Sequence, residues 1–140
     1  MKRTLFGIVA IFLLFPCART GSANEPEPVS IIQLIAHPEE YQGKFVRIHG
    51  YVVLTFEGNA IYLSEESAKH GLTENGLWLD TSYDKASPAE YSNQYCLVEG
   101  IFDATSKGHM SLWRGQITKI TRIDLSNFDI TDEDKAAKQN

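Results

Sequence analysis

From Lys44 the chain alternates. Val46, Ile48, Val52, Leu54 and Phe56 share one parity and Arg47, His49 and Tyr51 the other, the period-two pattern of a long strand with one buried face. Gly50 falls in the middle of it and predicts a sharp bend or bulge, the device by which one strand serves two sides of a small barrel. Glu57-Gly58-Asn59 is turn chemistry, and Ala60-Ile61-Tyr62-Leu63 returns as a second strand, so a hairpin is expected.

The same reading continues downstream. Thr73-Glu74-Asn75-Gly76 turns the chain into a third strand, Leu77-Trp78-Leu79-Asp80. A fourth strand spans Tyr95 to Asp103, with Gly100 inside it, and the polar turn Thr105-Ser106-Lys107-Gly108 leads to a fifth segment from His109 to about Leu125, broken near Gly115. Short helices fall between these strands. Ser30 followed by Gln33 is a capping-box pattern, and Ile31, Ile32, Leu34 and Ile35 supply an apolar side. Pro38-Glu39-Glu40-Tyr41 makes one further turn closed by Gly43, Ser64 to Gly71 is a capped turn or two, and Ser87-Pro88-Ala89-Glu90 repeats the capping box.

Helix, strand, strand, strand, short helix, strand, strand is the order of an all-β protein with short helices: a five-stranded OB-like Greek-key barrel preceded by an N-terminal helix. An SH3-like barrel is the competing architecture. The chain also resembles a group of small exported bacterial proteins with an OB-like domain. The residues that carry the resemblance are Tyr41 to Tyr51, Phe56 to Leu63, Gly76 to Leu79, and Val98 to Asp103 with Gly108-His109-Met110. It covers most of residues 30–125 and implies a fold and an exported location, with no activity to carry over.

The N-terminus supports export independently. Lys2 and Arg3 precede eleven unbroken apolar residues, Leu5 to Phe15, that end at Pro16. At ~1.5 Å per residue such a helix covers about half of a ~30 Å hydrocarbon core. It is therefore read as a signal peptide over residues 1–23, with Gly21-Ser22-Ala23 providing the small residues for cleavage before Asn24. Phe15-Pro16 ahead of Cys17 is a poor lipidation context. Residues 24–29 read as an extended leader, 30–125 as the barrel domain, and 126–140, with four acids and two lysines, as a polar flexible tail.

Cleavage leaves 117 of 140 residues, one domain's worth of chain. It also removes Lys2, Arg3 and Arg19, leaving 10 cations against 18 acids, a formal charge of −8. Such a surface repels a phosphate backbone, so nucleic acid is excluded as a first guess, and no stable membrane insertion is expected after the signal is gone. Cys96 becomes the sole cysteine, so no internal disulfide forms, and its apolar neighbours mark it as a small buried hydrophobe.

Catalytic signatures are missing. His37, His49, His70 and His109 form no close metal-ligand spacing, and there is no nucleophile elbow, Walker loop or dinucleotide fingerprint. No cofactor, metal or catalytic residue is assigned. Glu39-Glu40 and Glu65-Glu66 are sequence neighbours that point apart on a helical turn.

Aromatic parity is more informative. With Ile61, Leu63, Leu77 and Leu79 facing the core, Tyr62, Trp78 and Asp80 face outward on strands two and three, where OB barrels hold ligands. Glu57 and Asn59 flank that face from one loop, Lys107 and His109 from another. Those residues make up the expected ligand site, suited to a protein partner or an envelope glycan. The leading helix must bury its own apolar side, and this outer face is one place to do so. The alternative is a small hydrolase or metal-dependent enzyme built on His49 and His109 with nearby carboxylates.

Overall fold

The structure, a computed structural model, describes residues 25–81 and 88–126. The expected signal peptide, its cleavage point, the Ser87 cap and the tail beyond Ser126 lie outside the described residues. Among the described residues no helix is long and apolar enough to cross a membrane.

Among the described residues six strands form one sheet: β1 (Glu27–Pro28), β2 (Phe45–Val53), β3 (Ala60–Tyr62), β4 (Gly76–Leu79), β5 (Gln94–Asp103) and β6 (Gln116–Leu125). β2 pairs antiparallel with β3, and β3 with β4. β4 then pairs parallel with β6, which runs antiparallel to β5, and β5 returns to β2. The last pairing closes a five-stranded OB-like barrel. The fifth segment breaks at Gly115, as its sequence predicts, but its first part, His109–Ser111, is a tight turn that leaves helical geometry at Met110, and the strand starts at Gln116. Residues 27–28 of the leader join the sheet, with Glu27 and Pro28 parallel to Val46 and Arg47.

Of the bend or bulge expected at Gly50, the bulge is not made, although β2 does serve two sides by pairing with both β3 and β5. β2 pairs with β5 in one unbroken register from Phe45↔Ile101 to Val52↔Gln94. The glycine is instead a point of close approach: a Cβ there would lie 2.6 Å from the Tyr62 carbonyl oxygen and 2.7 Å from Ile31 Cδ1. The irregularity falls on the other side of β5, between Glu99 and Ile101, where β6 carries Lys119 at φ 48°.

Helix α1 (Ile31–Ala36) starts with its predicted capping box: Gln33 N–H donates to Ser30 Oγ at 3.1 Å and Ser30 N–H to Gln33 Oε1 at 3.0 Å. Six residues are too few for a helix to persist alone. Ile31 and Leu34, both essentially fully buried, hold it in the main core beside Ile48, Ile61, Leu77 and Phe102, each such side chain contributing about 1.5–3 kcal/mol. The helix therefore serves the barrel interior and does not cover the aromatic outer face, while Ile32 remains 59% exposed. α2 (Pro38–Tyr41), α3 (Glu65–Lys69) and α4 (Pro88–Tyr91) are single turns between strands.

Two further expectations fail at strand ends. β2 stops at Val53, so Phe56 leaves the alternation and is 92% exposed. β3 stops at Tyr62, and Leu63 is exposed.

Candidate functional site

The pleat directs Tyr62 and Trp78 away from the main core, as alternation predicts, but that face is not open. Tyr62 is buried in a second apolar cluster with Ala60 and Trp113, against which Val53, Ala68 and Trp78 pack. Trp78 and Trp113 meet edge to face, with ring centroids 4.9 Å apart and planes at 64°. The cover comes from α3 and from the loop between β5 and β6. α3 forms because Ser64 Oγ accepts the Ser67 N–H at 3.1 Å, and Lys69 pairs with Glu65 one turn earlier at 3.0 Å. Burial pushes the Tyr62 hydroxyl above its usual pKa, offset in part by the nearby Trp113 indole N–H. That indole N–H falls short of hydrogen-bonding geometry and has no partner among the described residues.

The β5–β6 loop is tied at both ends. Asp103 Oδ1 accepts from Thr105 N–H (2.9 Å), Thr105 Oγ1–H (2.7 Å) and Gln42 Nε2 (3.2 Å). The Thr105 hydroxyl, followed by these other donors, holds the Asp103 carboxyl below its ordinary pKa against the opposing effect of burial. Ser106 Oγ donates to Gln116 Oε1 at 2.8 Å across the loop's base. Between these ties Trp113 N–H donates to Lys107 O at 3.2 Å and Trp78 N–H to Gly115 O at 3.0 Å. Gly108, at φ 64°, lets the backbone lie directly on the Trp78 indole. Met110 (φ 54°) and Ser111 (φ 58°) follow in left-handed conformations, which cost a non-glycine residue about 1–2 kcal/mol each.

A second loop comes to meet the first. Between β2 and β3, Glu57 adopts φ 55° and Gly58 N–H donates to Thr55 O at 3.1 Å, closing the turn. Glu57 Oε2 then lies 3.7 Å from His109 Nε2. Exposed pairs of this kind contribute at most about 1 kcal/mol, so the contact marks adjacency of the loops more than it holds them together. At their tips Phe56 is 92% and Met110 76% exposed, with Leu112 also largely in solvent.

Of the residues expected to bind a ligand, Glu57 and His109 are brought together, and Lys107 stands exposed on the same loop as His109. Asn59 is an anchor: its Nδ2 donates to Thr81 Oγ1 at 3.1 Å and its carbonyl accepts the Leu79 N–H at 2.9 Å. Asp80 is half-buried at the end of the parallel pairing, its N–H bound to Ile117 O. Phe56, Met110, Ser111 and Arg114 escaped the sequence reading because their exposure depends on where strands stop. Alternation alone does not say which way Trp113 turns, because it lies in the loop between β5 and β6; the structure buries it against Ala60 and Tyr62.

The histidines of the alternative reading sit in different surroundings. His49 Nδ1 lies 3.1 Å from Ser126 Oγ and lines a cleft of about 330 Å3 with Pro28, Ser30 and Gln33, whereas His109 faces Glu57. Among the described residues the group of three with ligand atoms close enough for a metal is His37, Glu39 and Glu40, all exposed, and contains neither. Cys96 is fully buried, and burial pushes its thiol up to about 11, with Asp124 adding to the shift. At neutral pH it is a protonated core side chain and no nucleophile. Glu99, nearly buried on β5, is held by Arg47 at 2.7 Å and Arg122 at 3.3 Å. Comparison of the chain with protein-family models, curated proteins and solved structures finds no match.

Proposed function

We propose that this chain is an exported, non-catalytic interaction module that meets a protein partner through the rim formed by its β2–β3 and β5–β6 loops. The observation that carries the reading is the exposure of Phe56 and Met110 at the tips of two loops whose adjacency the Glu57–His109 contact marks. Large apolar side chains held in solvent on adjacent, strained loops are costly unless a partner covers them. A signal-like N-terminus ahead of the barrel, Lys2-Arg3 and then Leu5 to Phe15, supports export. An envelope glycan needs an open ring face to stack on. On the outer sheet face Tyr62 and Trp113 bury theirs and Trp78 is half-covered by Gly108; the ring left open, Phe56, shares the rim with the aliphatic Met110 and Leu112, which favours a protein.

The test is photocrosslinking in the producing cell with a benzophenone side chain at position 56 or 110, and at Ile32 on α1 as an exposed apolar control. The reading predicts one adduct shared by positions 56 and 110 and missing at 32. Adducts no different from the control would overturn it.

A further inference from the structure

Beside the rim a cleft of about 370 Å3 opens between the 3-10 turn Thr73–Asn75, which leads into β4, and the β5–β6 loop. Lys107 and Arg114 line it, with the hydroxyl-bearing Thr73 and Ser111, the Glu74 carboxylate and the Leu112 side chain. The chain as a whole is acidic, with a net charge of −5, and its described cations Lys44, Arg47, Lys69 and Arg122 each pair with a carboxylate. Lys107 and Arg114 do not: among the described residues neither has an ion pair, and the one other such cation, Lys119, lies outside the cleft. Two unpaired cations have thus been placed on one polar concavity of an otherwise acid-rich surface. The loop that carries them is held in shape at the expense of two left-handed residues, Met110 and Ser111, and conformations of this kind gather at ligand clamps.

We propose that this cleft receives a carboxylate side chain of an acidic segment in the protein partner, with Lys107 and Arg114 as its counter-charges and Leu112 and Met110 receiving the segment's adjacent apolar residues. The inference deepens the interaction-module reading and rests on it. Two cations and Glu74 leave the lining with one net positive charge, which matches a singly charged carboxylate; a doubly charged phosphate is opposed by Glu74. The guanidinium and ammonium supply charge-assisted donors, and the Thr73 and Ser111 hydroxyls can donate to the remaining oxygen lone pairs. Leu112, 51% exposed on the cleft wall, and Met110, 76% exposed beside it, favour a segment in which acidic and apolar residues alternate.

The probe is an acetylated, amidated hexapeptide alternating Leu with Glu, titrated into the 15N-labelled protein and followed by amide shifts. Its Leu-Gln counterpart and inorganic phosphate are titrated in parallel. The Leu-Glu peptide is expected to shift the amides of Lys107, Ser111, Leu112 and Arg114 in a salt-sensitive manner. Its affinity should fall at least about tenfold in a Lys107→Glu/Arg114→Glu variant, whose remaining spectrum, both side chains being exposed, should match the parent. Equal binding of the Leu-Gln peptide, shifts confined to other surfaces, or no binding of either peptide would overturn the inference. Phosphate shifting the same amides at lower concentration would replace it with a general oxyanion site. Crosslinks from positions 56 and 110 that persist in the charge-reversed variant sink the cleft alone; loss of the shared crosslink in the parent while the Leu-Glu peptide still binds sinks the rim alone.

Discussion

Gly108 lies against the face of Trp78 so closely that a Cβ at position 108 would come within 2.4 Å of Trp78 Cγ. This one approach fixes how the β5–β6 loop caps the outer side of β3 and β4, and so where the loop tips emerge.

Gly108→Ala should therefore be destabilising twice over, through the left-handed φ of 64° and through the indole contact. Gly43, at φ 75° with nothing within 4 Å of its hypothetical Cβ, isolates the first effect. We expect Gly43→Ala to cost about 1 kcal/mol and Gly108→Ala about 2–3 kcal/mol, read as shifts in urea midpoint at constant slope. The near-ultraviolet circular dichroism of the tryptophans should change only in the second. Equal losses would show that the loop is not seated on Trp78.

Trp113 combines a large buried surface with an indole N–H that has no partner among the described residues. Removing the ring and removing the donor should have different consequences. Trp113→Ala is expected to cost about 3–5 kcal/mol, as for other buried aromatics. Trp113→Phe keeps most of the packing and deletes a buried donor whose isolation itself costs about 1–3 kcal/mol, so it should lie within about 1 kcal/mol of the parent. Chemical denaturation of both variants checks this, and a phenylalanine variant as unstable as the alanine one would contradict it.

Asp103 gathers donors from Thr105 and Gln42 where β5 runs into the loop, and its pKa is lowered in the folded protein. A depressed carboxyl stabilises the fold fully above its unfolded value, about 3.9, and loses that contribution as pH falls through the folded value. Asp103→Asn should cost about 1 kcal/mol at pH 7, with the gap to the parent closing toward pH 2. Denaturation midpoints measured across that range give the answer, and a gap that stays constant with pH would rule out the carboxylate as its source.

Much of the barrel was legible in local pattern. The alternation from Val46 to Val52 marks β2, the Ser30–Gln33 spacing and the Ser64 cap ahead of Glu65 and Glu66 mark helix starts, and Gly115 marks the break before β6. These are short-range properties of covalent geometry, the two-residue pleat and the free amides of a helix terminus, and they survive in any context. The outward direction of Tyr62 and Trp78 belongs with them, since neighbours on a strand must face opposite sides. Their exposure does not. It depended on a loop more than 25 residues downstream of Trp78 folding back to lay Gly108 and Trp113 on the face, and on α1 going into the barrel interior, through Ile31 and Leu34, when the outer sheet was equally apolar.

The rim was the least legible part. Parity assigns Phe56 to the core, and only the end of β2 at Val53 frees it. Nothing near Glu57 in the chain names His109 as its neighbour, 52 positions away. Alternation, caps and breaks are decided within a few residues by sterics and backbone hydrogen bonding. Which faces stay wet, and which loop tips and unpaired cations share a surface, is decided by barrel closure, which joins distant segments whose sequences carry no mark of one another.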